Sequence, residues 1–590
     1  MLNSEYDANP PMHVSYQHAN PHHGRESYLI RFEGVVPDQT SCLLVDSGQN
    51  VDLDVLLGDD EHLSGVLLTH AHLDHYLTLE DNLRDGAPVY ATPETARAVT
   101  ANIEDAGDHY FEGDTDTLRE RLTPVTDWER VVGDVRIHPV PAGHSPGACG
   151  FLIQFSDDTE CYNLLATGDF TMRRAGGYSG FEVDLPVDVL FLCGATNDSF
   201  PDDVTKIVGR AIEGAHAGST TLLTASGLTG VHLAHLFAQL NATEQTTPIP
   251  ITLAGRVATL WNVFGYDGAG VEAVEDFTDP SEVLSHGGIT IAGPEVPTQG
   301  GSSERLFDAI KDDGSALTLQ VKSGGFETVS SATCRLDEYH VSNHPTQETV
   351  DDVVEEVAPV HTVVMHQDGG DEDRYKDRYD CMVWATNTGD HFTLYEGGEW
   401  QSPEWVGKLT ERRIFQRQYT GNPPLGSGAA SPDVDVPPVE RAASPDFAAE
   451  GLDVDRLHDE FRFGHEVGET EPKNPSDDDT TAAADDSTDS TATKEATPDG
   501  GAGEEAGGSE VDMLATTANS AAEAGDGQGV PSSELLDRLD RLEDAVTGEK
   551  TTATVVDAGA GVTLLRVDDD NALADLEHGD EITLRLGGLD

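Results

Sequence analysis

Thr69-His70-Ala71-His72-Leu73-Asp74-His75 follows directly on the apolar run Val66–Leu68, and no other stretch limits the fold as sharply. Its three imidazoles and one carboxylate, packed at the end of a strand, form a metal-ligand cluster. In extended backbone successive side chains alternate sides, so His70 and His72 point the same way and can share one ion. A turn then lets Asp74 and His75 face a second ion. Mixed nitrogen and oxygen donors suit zinc, and manganese or iron also fit. A solvated histidine-rich loop, the reading that suits His18, His22 and His23, has neither the strand before it nor the H-x-H-x-D-H spacing.

The rest of the chain divides by composition. Its 590 residues suggest two to four domains. An apolar fraction of 37% with 6% aromatics is low for a chain that folds throughout, so some stretches are expected to be unfolded. Residues 1–420 alternate strand-like and helical runs, an α/β pattern. Leu43–Val45 and Val66–Leu68 each run into polar residues at the end where α/β sheets place their sites. Residues 421–530 read as a disordered acidic linker. Within 471–530 there are 15 Asp+Glu, 2 Lys and no aromatic residue, too little apolar surface to offset chain entropy. A small ordered island is expected around Leu452–Phe463. Residues 531–590 read as a small α+β module. Leu535, Leu539, Leu542 and Val546 form a short seam closed by Gly548, ahead of strands at Thr552–Val556, Val562–Val567 and Glu581–Leu586. The seam leaves a homodimer open, though a helix packed on its own three strands suits its length better.

Thirty-four Lys+Arg against 109 Asp+Glu give a net charge of −75, and the first lysine is Lys206. Acid enrichment without lysine through the first 200 residues, far from any tail, points to the cytosol of a halophilic archaeon. Such a chain repels itself in dilute buffer and is stabilised by salt. Met1–Asn20 lacks the pattern of a signal peptide, and no window approaches the ~18 apolar residues of a membrane span, so a soluble cytoplasmic protein is expected. Six cysteines without C-x-x-C spacing read as small buried apolar side chains.

The histidine cluster resembles the signature of the metallo-β-lactamase superfamily. Asp46 in Leu-Leu-Val-Asp-Ser-Gly, His144 in Ala-Gly-His-Ser-Pro-Gly and Asp169 in Ala-Thr-Gly-Asp-Phe resemble its other motifs, in the right order. The resemblance implies an αββα sandwich in which His70, His72 and His144 hold one metal, Asp74 and His75 the other, and Asp169 bridges; Asp46 orients the loop. The long insertion after Asp169 resembles the β-CASP domain of nucleic-acid-cleaving members, the ribonuclease J and mRNA 3′-end processing endonuclease types. His344 in Val-Ser-Asn-His-Pro resembles the S-G-H motif of that branch, and His366 in Val-Val-Met-His-Gln its closing V-H-G. By resemblance His366 completes the second metal, while Ser342 and His344 meet the scissile phosphate or leaving oxygen. The implied domains are a metallo-β-lactamase part at 1–195, a β-CASP-like domain at 196–340 and a return segment at 341–420. Two features depart from the family. Gly194 stands where an acid is expected, and Asn343 and Gln367 replace glycines beside the late histidines.

These residues imply a dizinc phosphodiesterase acting on RNA, with single-stranded DNA as a further substrate class and no membrane partner. Asp74 and His344 are the candidate proton-transfer groups, and Arg173 and Arg174 the candidate phosphate contacts, ahead of Arg256 and Arg305. Two other readings compete: a non-catalytic β-CASP subunit binding RNA or a protein, favoured by Gly194, and a hydrolase of small esters or thioesters. No ligand lies beyond residue 420, so a chain ending near 425 is expected to keep its metal and activity.

Overall fold

The structure, a computed structural model, describes residues 11–106, 115–157, 160–182, 186–243, 245–325, 327–367, 373–376, 378–386, 388–408, 411–414, 435–461, 553–557, 563–567 and 582–584. The chain forms two units, Met1–Ser520 and Ala521–Asp590. No helix among the described residues is long and apolar enough to cross a membrane.

Alternating apolar residues build two facing sheets in the first unit. An eight-stranded sheet runs in the order Glu399–Trp400, Phe392–Glu396, His13–His18, Tyr28–Val36, Gln39–Val45, Glu61–Leu67, Val89–Ala91, Leu122–Pro124. A seven-stranded sheet runs Met382–Trp384, His361–Met365, Val189–Cys193, Glu160–Ala166, Cys149–Asp157, Val135–Pro141, Glu129–Val132. Tyr16, Ile30 and Phe32 of the first pack against Phe151, Ile153 and Phe191 of the second, all buried between the sheets. Helices cover the outer faces. Gln347–Val357 shows why: Val350, Val353, Val354 and Val357 recur at helical spacing and are buried, its acidic residues face out, and Thr346 caps it by accepting from the Thr349 amide.

A third sheet of six strands is parallel throughout, in the order Val271–Val274, Ile251–Ala254, Ile289–Ala292, Thr221–Thr224, Leu317–Lys322, Arg335–His340. Its central strands are short runs, mostly of apolar residues and threonines, buried on both faces, as a parallel sheet flanked by helices requires. The chain leaves the seven-stranded sheet after Cys193, builds this layer, and returns through Ser342–His344 into the helix Gln347–Val357.

Order within the acid-rich tail extends further than the island expected around Leu452–Phe463. Residues 435–461 form a strap across the first unit. On one side the Arg174 amide donates to the Ala449 carbonyl and the Ala442 amide to the Gly177 carbonyl. On the other, Arg441 lies 4.3 Å over the Tyr266 ring and the helix Val454–Glu460 packs on Phe200–His216. Leu452 and Leu457 are buried there. At its centre the Glu450 carboxylate is buried, 2.9 Å from His232 Nε2 and 3.4 Å from His235 Nε2, and accepts the Gly176 amide. Two local leucines are too weak a pattern to reveal a segment whose partners lie some 200 residues away.

In the second unit Ala553–Asp557, Thr563–Val567 and Ile582–Leu584 form an antiparallel three-stranded sheet. The Leu535–Val546 seam and the linker stretches 421–434 and 462–530 lie outside the described residues.

Candidate metal centre

Strand ends from both facing sheets converge on one site. Gln39–Val45 ends at Asp46 and Glu61–Leu67 leads to His70–His75. Val135–Pro141 leads to His144, Glu160–Ala166 to Asp169, Val189–Cys193 ends on Cys193 itself, and His361–Met365 leads to His366. His344 arrives from the far side, after the edge strand Arg335–His340 of the third sheet. Asp46 and His366 sit at φ 54° and 42°, a conformation other residues than glycine adopt only when their surroundings hold them there.

Three imidazoles make the first donor group. His72 Nδ1 lies 2.9 Å from His70 Nε2 and 3.1 Å from His144 Nε2. The outer nitrogens are already committed. His144 Nδ1 donates to the Asn343 carbonyl (3.1 Å), and His70 Nδ1 to Thr69 Oγ1 (3.0 Å), whose hydroxyl donates to Asp46 Oδ2 (2.8 Å). Both inner Nε2 atoms are therefore lone pairs, and His72 can donate to only one of them. Three nitrogens holding at most one proton fit a shared ion better than they fit each other. Tetrahedral zinc with bonds of ~2.0–2.1 Å would separate them by about 3.3 Å. Burial pushes all three pKa values down, so the lone pairs that a metal needs are present.

Asp169 links this group to the second. Its Oδ2 lies 3.7 Å from His144 Nε2, 4.0 Å from His70 Nε2, 3.5 Å from His75 Nε2 and 3.8 Å from His344 Nε2. Its Oδ1 is 2.6 Å from His366 Nδ1 and 3.2 Å from Cys193 Sγ. Burial opposes ionisation of Asp169, yet His366 and His75 hold the carboxyl well below its usual range. Burial likewise opposes a charge on His75, but Asp46, Asp169 and Asp74 together lift it well above the ordinary value. His75 Nδ1 donates to Asp46 Oδ2 (2.7 Å), so Nε2 faces inward, buried and without a hydrogen-bond partner. Its raised pKa keeps a proton on Nε2, 3.5 Å from Asp169 Oδ2, and a bound ion would take that proton's place. Asp74 stands at the mouth, 49% exposed, with Oδ2 3.8 Å from His75 Nε2; it belongs to none of the tight donor groups.

The flanking residues depart from the sequence reading. Arg173, expected to contact phosphate, is turned inward: Nε donates to Asn343 Oδ1 (3.0 Å), Nη2 to the His344 carbonyl (2.5 Å), and the guanidinium covers Phe200. Arg174 faces Asp446 of the strap at 4.0 Å. Arg256 and Arg305 donate to the backbone carbonyls of Ala101 and Phe277. Ser342 is half-buried, its carbonyl accepting from Asn197 Nδ2. His18, read as part of a solvated loop, is buried and its pKa falls to about 4. At Gly194 a Cβ would stand 3.1 Å from Gln367 Cβ and Val364 Cγ1, so a longer acidic side chain has no room unless its neighbours move. His344 Nδ1 is buried with no partner, and burial pushes its pKa down to about 4.

Three residues near the centre escaped the sequence reading as site residues. Asn343 was visible only as a departure from glycine; its Nδ2 donates to the Gly143 and His144 carbonyls and so braces the His144 turn. Cys193 gave no spacing signal. Glu26, buried in a loop after the first strand, lines the same cavity as His75, Asp169 and His366.

Residues 44–198 match the beta-lactamase superfamily domain, so the chain carries a metallo-β-lactamase-type domain, and its His/Asp groups can hold metal ions. Among individual proteins it is similar to an endoribonuclease of Mycosarcoma maydis, 29% identical over 129 residues, or 19% of this chain and 14% of that one. It is also similar to a ribonuclease of Thermus thermophilus, 35% identical over 125 residues, or 20% of this chain and 28% of that one. The chain thus spans less than a third of either relative. A solved Enterococcus faecalis protein of unknown function aligns at 14% identity with a TM-score of 0.47, over 65% of this chain and 100% of that one.

Proposed function

We propose that this protein is a metal-dependent phosphodiesterase that cleaves RNA. The observation carrying this reading is the pair of donor groups joined by Asp169, with His344 brought to the same carboxylate from a separate parallel sheet. Partial similarity to two ribonucleases supports the choice of RNA. His70, His72 and His144 would hold one ion, and Asp74, His75 and His366 the other, with Asp169 shared. Two bound ions would polarise the phosphate and supply a nucleophile at neutral pH.

The chain's own residues do the rest. Asp46 sets the His75 ring through Nδ1, as outer partners of metal ligands do. Asn343 and Arg173 hold the His144 and His344 loops together. Asp74, at the mouth, is the accessible carboxylate for accepting a proton. His344, neutral at pH 7, hydrogen-bonds the phosphate or leaving oxygen. The domain limits 1–195, 196–340 and 341–420 belong to the same proposal. Two observations favour a second reading, a non-catalytic RNA-binding subunit: the acid expected at Gly194 is missing, and His344 Nδ1 is left without a partner.

End-labelled RNA incubated with the zinc-loaded full chain separates these readings. Cleavage is expected, and it should persist or rise between low and molar KCl. Protein–nucleic acid binding ordinarily weakens with salt in proportion to the phosphates neutralised by cations. Here the described arginines nearest the centre are spent on carbonyls and carboxylates, so few such contacts exist to lose. Screening meanwhile shortens the reach of repulsion from about 10 Å at 0.1 M to about 3 Å at 1 M. RNA bound but uncut would favour the non-catalytic reading. Hydrolysis of a simple lactone with RNA untouched would favour a small-ester hydrolase.

A further inference from the structure

Cys193 ends the strand Val189–Cys193 inside the candidate metal centre, and among the described residues it is the one cysteine in a group able to hold an ion. Its Sγ lies 3.2 Å from Asp169 Oδ1 and 3.9 Å from His366 Nδ1. Around tetrahedral zinc, with a sulfur bond of ~2.3 Å and nitrogen or oxygen bonds of ~2.0–2.1 Å, sulfur stands about 3.5 Å from its fellow ligands. The two observed separations bracket that value. The other cysteines are placed differently: Cys334 and Cys381 meet Thr318 and Thr362, Cys161 meets Ser156, and Cys42 and Cys149 lie in sheet cores.

A second observation points into the same space. Cys193, Glu26, His75, Asp169 and His366 line one small cavity beneath the centre. Two side chains there carry buried polar atoms with no hydrogen-bond partner: Glu26 Oε2, on a residue 5% exposed, and His75 Nε2, on a residue 1% exposed, which Asp169 approaches to 3.5 Å. Buried groups of this kind are costly unless something polar occupies the space between them.

We propose that Cys193 is a thiolate ligand of the second metal position, taking the place there of the exposed Asp74 beside His75, His366 and Asp169 and leaving Asp74 free as the proton acceptor. The inference rests on the metal-centre reading above and deepens it. On binding, the S–H bond and the N–H bond that His366 Nδ1 directs at Asp169 Oδ1 both break, the two protons leave to buffer, and the metal–sulfur and metal–nitrogen bonds form; no oxidation is involved. Asp169 Oδ1, which accepts from both the thiol and His366 Nδ1 in the metal-free protein, is thereby released for the ion. A thiolate makes this position soft, so it prefers zinc to manganese.

Cobalt(II) titrated into the metal-stripped full chain in molar KCl tests this without any substrate. The wild-type protein is expected to develop a near-ultraviolet thiolate-to-cobalt charge-transfer band beside the visible d–d absorption. Cys193→Ser and Cys193→Ala are expected to lose the ultraviolet band, keep visible absorption from the His70, His72, His144 position, and bind zinc at the second position at least about tenfold more weakly. Visible bands without the ultraviolet band in wild type overturn the thiolate, and so does an ultraviolet band that survives in Cys193→Ser. The wild-type spectrum decides the matter even if a variant fails to fold. No cobalt uptake at all defeats the metal centre itself, a different failure from the loss of the thiolate alone.

Discussion

His72→Ala is expected to abolish hydrolysis and empty the first metal position while the protein stays folded. His72 Nδ1 is the nitrogen that His70 Nε2 and His144 Nε2 both face, at 2.9 and 3.1 Å. Removing it leaves only two imidazoles and the shared Asp169 carboxylate, one ligand short of a closed tetrahedral site. Loss of an outer partner typically costs ~10–100-fold in metal affinity or activity, so loss of a ligand should exceed that. Asp46→Asn, which weakens the bond orienting His75, should fall inside that smaller range. His72 is only partly buried, so its truncation opens no core cavity and the melting temperature of the metal-free protein should barely move. Metal content by elemental analysis, alongside activity, checks the pair of variants. A His72→Ala protein holding as much metal as wild type would refute the assignment.

Ending the chain before the strap is expected to destabilise it severely, contrary to the expectation drawn from the missing ligands beyond residue 420. A chain ending at 434 loses Glu450, Leu452 and Leu457 together, whereas one ending at 465 keeps them. Removing one member of a buried charged cluster costs about 3–5 kcal/mol, and each buried leucine adds roughly 1.5–3 kcal/mol. The Gly176 amide would also lose its acceptor. Glu450→Ala isolates the carboxylate, and its effect should depend on pH. Burial resists the charge, but His232 and His235 hold the Glu450 carboxyl down at about 2, below its ordinary 4.5. A group whose folded value is depressed contributes fully above the unfolded value and loses that contribution as pH falls toward the folded one. The gap between wild type and Glu450→Ala in chemical denaturation should therefore be full above about pH 4.5 and shrink below it. Equal stability of the 434 and 465 chains would show that the strap is merely laid on the surface.

Much of this protein could be read along the chain because the signals are local. The run His70–His75 places four donors within six residues, after a strand whose apolar residues announce it. Valines at helical spacing mark the helix Gln347–Val357, whereas the central strands of the third sheet are short runs in which threonines mix with apolar residues. Periodicity survives in sequence because each residue's neighbours in it are also its neighbours in space.

Other features depend on contacts between distant segments, and no local pattern encodes them. Cys193 reads as one more apolar position in Val-Leu-Phe-Leu-Cys, and only the pairing of its strand with Glu160–Ala166 and His361–Met365 sets the thiol beside Asp169 and His366. Arg173 reads as a free cation until Asn343 and the His344 carbonyl, some 170 residues on, are folded against it. Glu450 reads as one more acid in an acidic tail until packing buries it between His232 and His235. A side chain's chemistry follows from its type, but its charge, partner and accessibility follow from burial, and burial is a property of the whole fold.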